Sequence, residues 1–141
     1  MKFEYFKFSL TKSSELFGNV ILKPIIPVKV SFAGKSLRYA TLIDSGAGFC
    51  IFDAEVGEYL GIDIRSGKKE TFGGIQEKSG AEAFIHDIGI NVGGWDYKIK
   101  VGFSWDIAKY GYGILGQKGF FDIFVVKFDL LKSEIELFPR K

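Results

Sequence analysis

The chain has a single cysteine, Cys50, and a single histidine, His86. One cysteine cannot close an internal disulfide, and one Cys with one His falls short of a zinc ligand set. The expectation is therefore a reducing, cytoplasmic setting with no metal and no organic cofactor. An excess of charge of one sign is also missing: 19 Lys and Arg stand against 17 Asp and Glu, a net +2. The lysines are scattered, and only Lys68-Lys69 and Arg140-Lys141 form adjacent basic pairs. That pattern lacks the electrostatic footprint of a nucleic-acid or membrane-surface binder. Trp95, Trp105, Tyr110 and Tyr112 have no basic stripe beside them, so core or interface packing accounts for them better than base stacking. At the N-terminus, Met1-Lys2-Phe3-Glu4-Tyr5 sets charges among its apolar residues, which excludes a secretory core or a membrane span there.

What is present describes a folded β protein. The 141 residues fit one domain, taken here as 1–141, and 47% hydrophobic residues are enough for a packed core. Eighteen glycines and fifteen phenylalanines, with only three prolines, suit short strands punctuated by turns. Val28, Val30 and Phe32 alternate with Lys29 and Ser31; Ala33-Gly34-Lys35 can turn; Leu37, Tyr39, Thr41 and Ile43 alternate again. This reads as a hairpin running into Asp44. A second hairpin is expected from about Ala83 to Val92, a Gly93-Gly94 turn and Tyr97 to Phe103. Segment 53–61 is the one helix candidate: Asp53 can cap it, Val56 and Leu60 share a face, and Gly61 can close it.

The sharpest local feature is Leu42-Ile43-Asp44-Ser45-Gly46-Ala47, a carboxylate at the end of an apolar strand followed by small residues. Asp-Ser/Thr-Gly arises by chance in roughly one chain in twenty of this length, so alone it marks no more than a turn. Two further features accompany it. Ile114-Leu115-Gly116 is an apolar pair closed by a glycine 72 residues beyond Asp44, and Phe72-Gly73-Gly74-Ile75 between them looks like a glycine-rich hairpin tip. In this order the three segments resemble the retropepsin family, the retroviral-type aspartic peptidases, over about residues 20–138.

The resemblance implies an all-β fold, a closed six- or seven-stranded acid-protease barrel with one or two short helices, working as a twofold homodimer. It implies an aspartic endopeptidase with Asp44, Ser45 and Gly46 as catalytic residues. It places the ψ-shaped crossing at Ile114 to Gly116 and a flap near Phe72 to Ser79. Gln117 to Phe124 looks like the family's short C-terminal helix, leading to a last strand at Glu134 to Phe138. Ala47, Phe49, Gly73, Gly74 and Ile75 would contact an extended peptide or protein substrate, with Ile51 a further candidate. Core packing explains Phe49 about equally well and Ile51 better, and Gly73-Gly74 can also be a plain turn. The chain departs from the retroviral pattern at Gly48, where an aspartate is usual, and at Gln117, where an arginine is common.

One Asp-Ser-Gly in a chain of this length leaves the second carboxylate to a second copy. A different class of function on the same fold is a non-catalytic, homodimeric peptide-binding module, against which the intact Asp44 to Ala47 loop argues. The remaining acids, Asp87, Asp96, Asp106, Asp122 and Asp129, lack the small-residue pair and read as surface or turn residues. No Gly-x-Ser-x-Gly elbow is present to serve a triad on His86, and Cys50 sits in an apolar run as a small hydrophobe.

Overall fold

A computed structural model describes residues 1–72 and 80–140. In chain order the strands are β1 (Lys2–Glu4), β2 (Phe6–Ser14), β3 (Gly18–Lys23), β4 (Ile25–Phe32), β5 (Lys35–Ile43) and β6 (Ile51–Asp53). They continue with β7 (Lys68–Phe72), β8 (Ala81–Val92), β9 (Trp95–Ser104), β10 (Gly113–Leu115), β11 (Phe124–Asp129) and β12 (Glu134–Pro139). One α-helix, α1 (Ala54–Tyr59), and two 3-10 segments, Ile64–Ser66 and Trp105–Tyr110, complete the described elements.

The two expected hairpins form. In β4–β5, Val28 lies opposite Tyr39 and Val30 opposite Leu37, and the turn places Ala33 and Gly34 at φ 48° and 85°. In β8–β9, Gly93 and Gly94 take φ 59° and 92°. Two successive positive-φ residues match the right-handed twist of the flanking strands, which is why glycine recurs there. Along β8 the period of two is visible in burial: Ile88, Ile90 and Val92 face the core while Asp87, Gly89 and Asn91 do not.

Neighbouring strands run in the order β4-β5-β10-β6-β9-β8-β7, and β4 also pairs with β8 through Val30 and Ile90. The first six therefore close on themselves as a barrel, and β7 extends from the far end of β8. Val28, Val30, Ile43, Phe52, Ile90, Val101, Phe103 and Leu115 fill it. A second sheet, β1-β12-β11, packs Ile135, Leu137 and Phe124 into the same core, and β2–β3 is a separate two-stranded hairpin. Helix α1 starts where Asp53 accepts a hydrogen bond from the Glu55 N–H at 2.9 Å and ends before Gly61 at φ 87°. No helix among the described residues is long and apolar enough to cross a membrane.

The expected C-terminal helix over Gln117 to Phe124 is corrected by the structure. The segment is a series of turns: the N–H groups of Phe121 and Asp122 reach back to the carbonyls of Gly116 and Gln117 at 3.2 and 3.1 Å. Gly119 adopts φ 100°, and a residue in that region cannot continue a right-handed helix. The last strand does form, and Phe124–Asp129 adds an unforeseen strand beside it.

Candidate active site

Strand β5 ends in the core with Ile43, 4% exposed, and the chain turns outward at Asp44. Three hydrogen bonds define that turn. The Asp44 N–H donates to the Leu115 carbonyl at 3.0 Å, and the Asp44 carbonyl accepts from the Ala47 N–H at 3.2 Å. The carboxylate Oδ1 accepts from the Gly46 N–H at 2.9 Å, an Asx turn that holds the side chain against its own loop. A β-carbon on Gly46 would lie 3.2 Å from that same oxygen, so glycine gives the carboxylate room. Asp44 and Ala47 are half-buried; Ser45, Gly46 and Gly48 are exposed.

The loop joins β5 to β6, and β10 runs between those two strands. Ile114 lies opposite Leu42 in parallel pairing and opposite Ile51 in antiparallel pairing. Beyond β10 the chain stays bonded to the loop. The N–H groups of Gln117 and Lys118 donate to the carbonyls of Ala47 and Gly48 at 2.8 and 3.0 Å, and Cys50 N–H donates to the Lys118 carbonyl at 3.2 Å. Gly116 makes this approach possible, because a β-carbon there would press on the Phe49 carbonyl and lie 2.8 Å from the Ala47 carbonyl oxygen. The Gly116 N–H points at Cys50 Sγ, 3.4 Å away. Cys50 is fully buried, and burial pushes its thiol up to about 12, so it sits beneath the loop as a neutral side chain.

Phe49 is half-buried, its ring edge-on to Phe72 at the end of β7 with centroids 6.1 Å apart. Gly102 clears space for it, since a β-carbon there would lie 2.7 Å from the ring. Phe49 thus bridges the Asp44 loop and the part of the β7–β8 pair where Phe72 faces Ala81. The expected flap residues Gly73, Gly74 and Ile75 lie outside the described residues.

No protein-family model matches the chain, and no curated protein does. Among solved structures, a retropepsin-like aspartic protease from Rickettsia conorii superposes with a TM-score of 0.57 at 17% identity, over 97% of this chain and 92% of that one. The chain has a retropepsin-like fold. EIAV protease in complex with the inhibitor HBY-793 is also similar, with a TM-score of 0.46 and 21% identity over 67% of this chain and 82% of that one.

Within this retropepsin-like barrel, Asp44, Ser45, Gly46 and Ala47 share one tight turn, with Ile114 to Gly116 beneath it and Phe49 at its edge. Ile51 belongs to the core at 4% exposure. Gln117 donates from Nε2 to the Ser45 carbonyl at 2.9 Å. That contact had no signal in the sequence, because nothing local links residues 45 and 117. The other acids have turn or surface partners. Asp122 accepts from Gly119 N–H at 3.0 Å, Asp106 from Glu82 N–H at 3.0 Å, and Asp129 from Lys132 N–H at 3.2 Å. Asp87 pairs with Lys100 and Asp96 with Asn91, each at 2.8 Å. His86 bonds the Ile64 carbonyl at 2.7 Å as a strand residue tied to its neighbour. The Trp105 indole donates to Glu58 at 2.8 Å under the Arg65 guanidinium, so this aromatic residue is occupied in packing. Among the described residues no group of His, Cys, Asp or Glu gathers that could hold a metal ion.

Proposed function

We propose that the chain, as one domain over residues 1–141, is the subunit of a homodimeric aspartic endopeptidase. The observation that carries this reading is the Asp44 carboxylate, presented at a strand end and held by the Gly46 N–H over the Leu115-Gly116 crossing. Two such loops facing one another across a twofold axis bring two carboxylates together. At about 3 Å two like charges repel strongly, so the pair holds one proton between its two carboxyl groups. The ionised member takes a proton from water as the hydroxyl oxygen bonds to the scissile carbonyl carbon. The protonated member gives its proton to the carbonyl oxygen. Collapse of the tetrahedral intermediate returns that proton to the dyad, protonates the amide nitrogen and breaks the C–N bond.

Ser45 is assigned to hydrogen-bond across the axis, and Gly46 to the close backbone approach beside the carboxylate. Ala47, Phe49, Gly73, Gly74 and Ile75 are assigned to an extended peptide, which suits main-chain hydrogen bonding in a cleft. The lone buried cysteine accords with a cytoplasmic setting. The test is incubation of purified protein with a mixed peptide library from about pH 3 to 7, beside Asp44→Asn. Cleavage by the native chain and none by Asp44→Asn is expected. Cleavage by both, or by neither, removes the reading.

A further inference from the structure

Gly46 N–H and Ser45 C=O are the two ends of one peptide unit, and both ends are engaged. The N–H end holds Asp44 Oδ1 at 2.9 Å, and the carbonyl end accepts from Gln117 Nε2 at 2.9 Å. A peptide unit is a rigid plane, so fixing the direction of its carbonyl fixes the direction of its N–H. That plane is flanked by a glycine, which tolerates the rotated orientation that most residues resist. Without a partner for the Ser45 carbonyl, the plane can turn and carry the N–H away from the carboxylate.

The other ties of the loop do not engage this plane. Asp44 N–H to Leu115, Ala47 N–H to the Asp44 carbonyl and Gln117 N–H to Ala47 fix the residues on either side of the Ser45–Gly46 unit, and none of them bonds that unit's own N–H or carbonyl. Gln117 is thus placed to do two things with one residue: its backbone anchors Ala47 at 2.8 Å and its side chain orients the plane before it. Hydrogen bonds in series through a peptide unit also polarise one another, which strengthens the contact at the far end.

We infer that Gln117 is a positioning residue for the Asp44 carboxylate, acting through the Ser45–Gly46 peptide plane. The kinetic part of this inference rests on the peptidase reading; the orientation of the plane does not. A hydrogen bond of this kind contributes enough for a three- to tenfold effect, roughly. Gln117→Met keeps the chain length and removes the donor, whereas Gln117→Lys keeps a donor. In isotopically labelled protein, the Gly46 amide proton resonance moves upfield in Gln117→Met and returns towards its native position in Gln117→Lys, while the amides of the β8–β9 hairpin stay in place. With peptide substrate, Gln117→Met lowers kcat by about three- to tenfold with KM within about twofold, and Gln117→Lys recovers most of the loss.

An unchanged Gly46 resonance in Gln117→Met overturns the inference whatever the activity. A displaced resonance with unchanged kcat in an active enzyme overturns the positioning role. A native protein that cleaves nothing, together with a displaced resonance in Gln117→Met, defeats the peptidase reading and upholds the control of the plane.

Discussion

Replacing Gly116 by alanine puts a methyl group where the crossing has no space for one. The new carbon would lie 2.6 Å from the Phe49 carbonyl carbon and 2.8 Å from the Ala47 carbonyl oxygen. Both neighbours are backbone, and the Ala47 oxygen already accepts from Gln117 N–H at 2.8 Å, so neither can swing aside as a side chain would. Overpacking that side chains can absorb costs about 1–3 kcal/mol; against fixed backbone the upper end applies, about 3 kcal/mol. For a chain of this size that is a fall in Tm of roughly 10 °C. Gly48, in the same loop, is the internal control: a β-carbon there meets nothing within 4 Å, so Gly48→Ala should stay within about 0.5 kcal/mol of the native protein. Thermal unfolding followed by near-UV circular dichroism measures both. A Gly116→Ala loss as small as that of Gly48→Ala, or equal losses of several kcal/mol in both, would refute the close-approach argument.

Further outcomes follow from single groups. Burial raises the Cys50 thiol from 9.0 and the Tyr39 phenol from 10.0, each to about 12, so both stay protonated in the folded chain where the unfolded chain would ionise them. Their contribution is complete below about pH 9 and is lost as pH rises towards 12; urea midpoints should fall over that window, and a thiol reagent at pH 8 should label Cys50 only after unfolding. Thr41→Val removes the donor from a fully buried hydrogen bond to the Ile26 carbonyl, 2.9 Å long, and should lower stability by about 1 kcal/mol in urea titration. Asp53→Ala deletes the α1 cap and should destabilise by about 1 kcal/mol, whereas Asp53→Asn should retain most of it.

The parts of the fold legible in the sequence were those set by local pattern. Alternation along residues 28–43 and 83–103, with Gly34 and Gly93-Gly94 at positive φ, specified two hairpins because burial of one strand face and turn handedness are local properties. Asp53 and Gly61 marked a helix for the same reason. The Gln117 to Phe124 segment misled because its composition does not reveal that Gly119 sits at φ 100°, which the surrounding contacts decide. The β2–β3 hairpin formed outside these expectations although Phe6, Phe8 and Leu10 alternate with Lys7, Ser9 and Thr11 along β2; its residues are exposed or half-buried, with Phe6 and Val20 at 49% and 38%. At the site, the Asp44 turn was readable from four consecutive residues. The Gln117 bond to Ser45 and the Phe49 contact with Phe72 join residues far apart in the chain, and only the barrel brings them together.

The central claim is that two chains share one catalytic centre, each supplying one Asp44. Its most direct test is to mix native protein with Asp44→Asn at concentrations well above the dimer dissociation constant, allow subunits to exchange, and measure peptide cleavage per native chain. With equal amounts, random pairing leaves about half of the native chains in dimers that carry both carboxylates, so activity per native chain should fall to about half and continue towards zero as the variant is added in excess. Activity per native chain that is unaffected by any excess of Asp44→Asn would contradict the shared dyad.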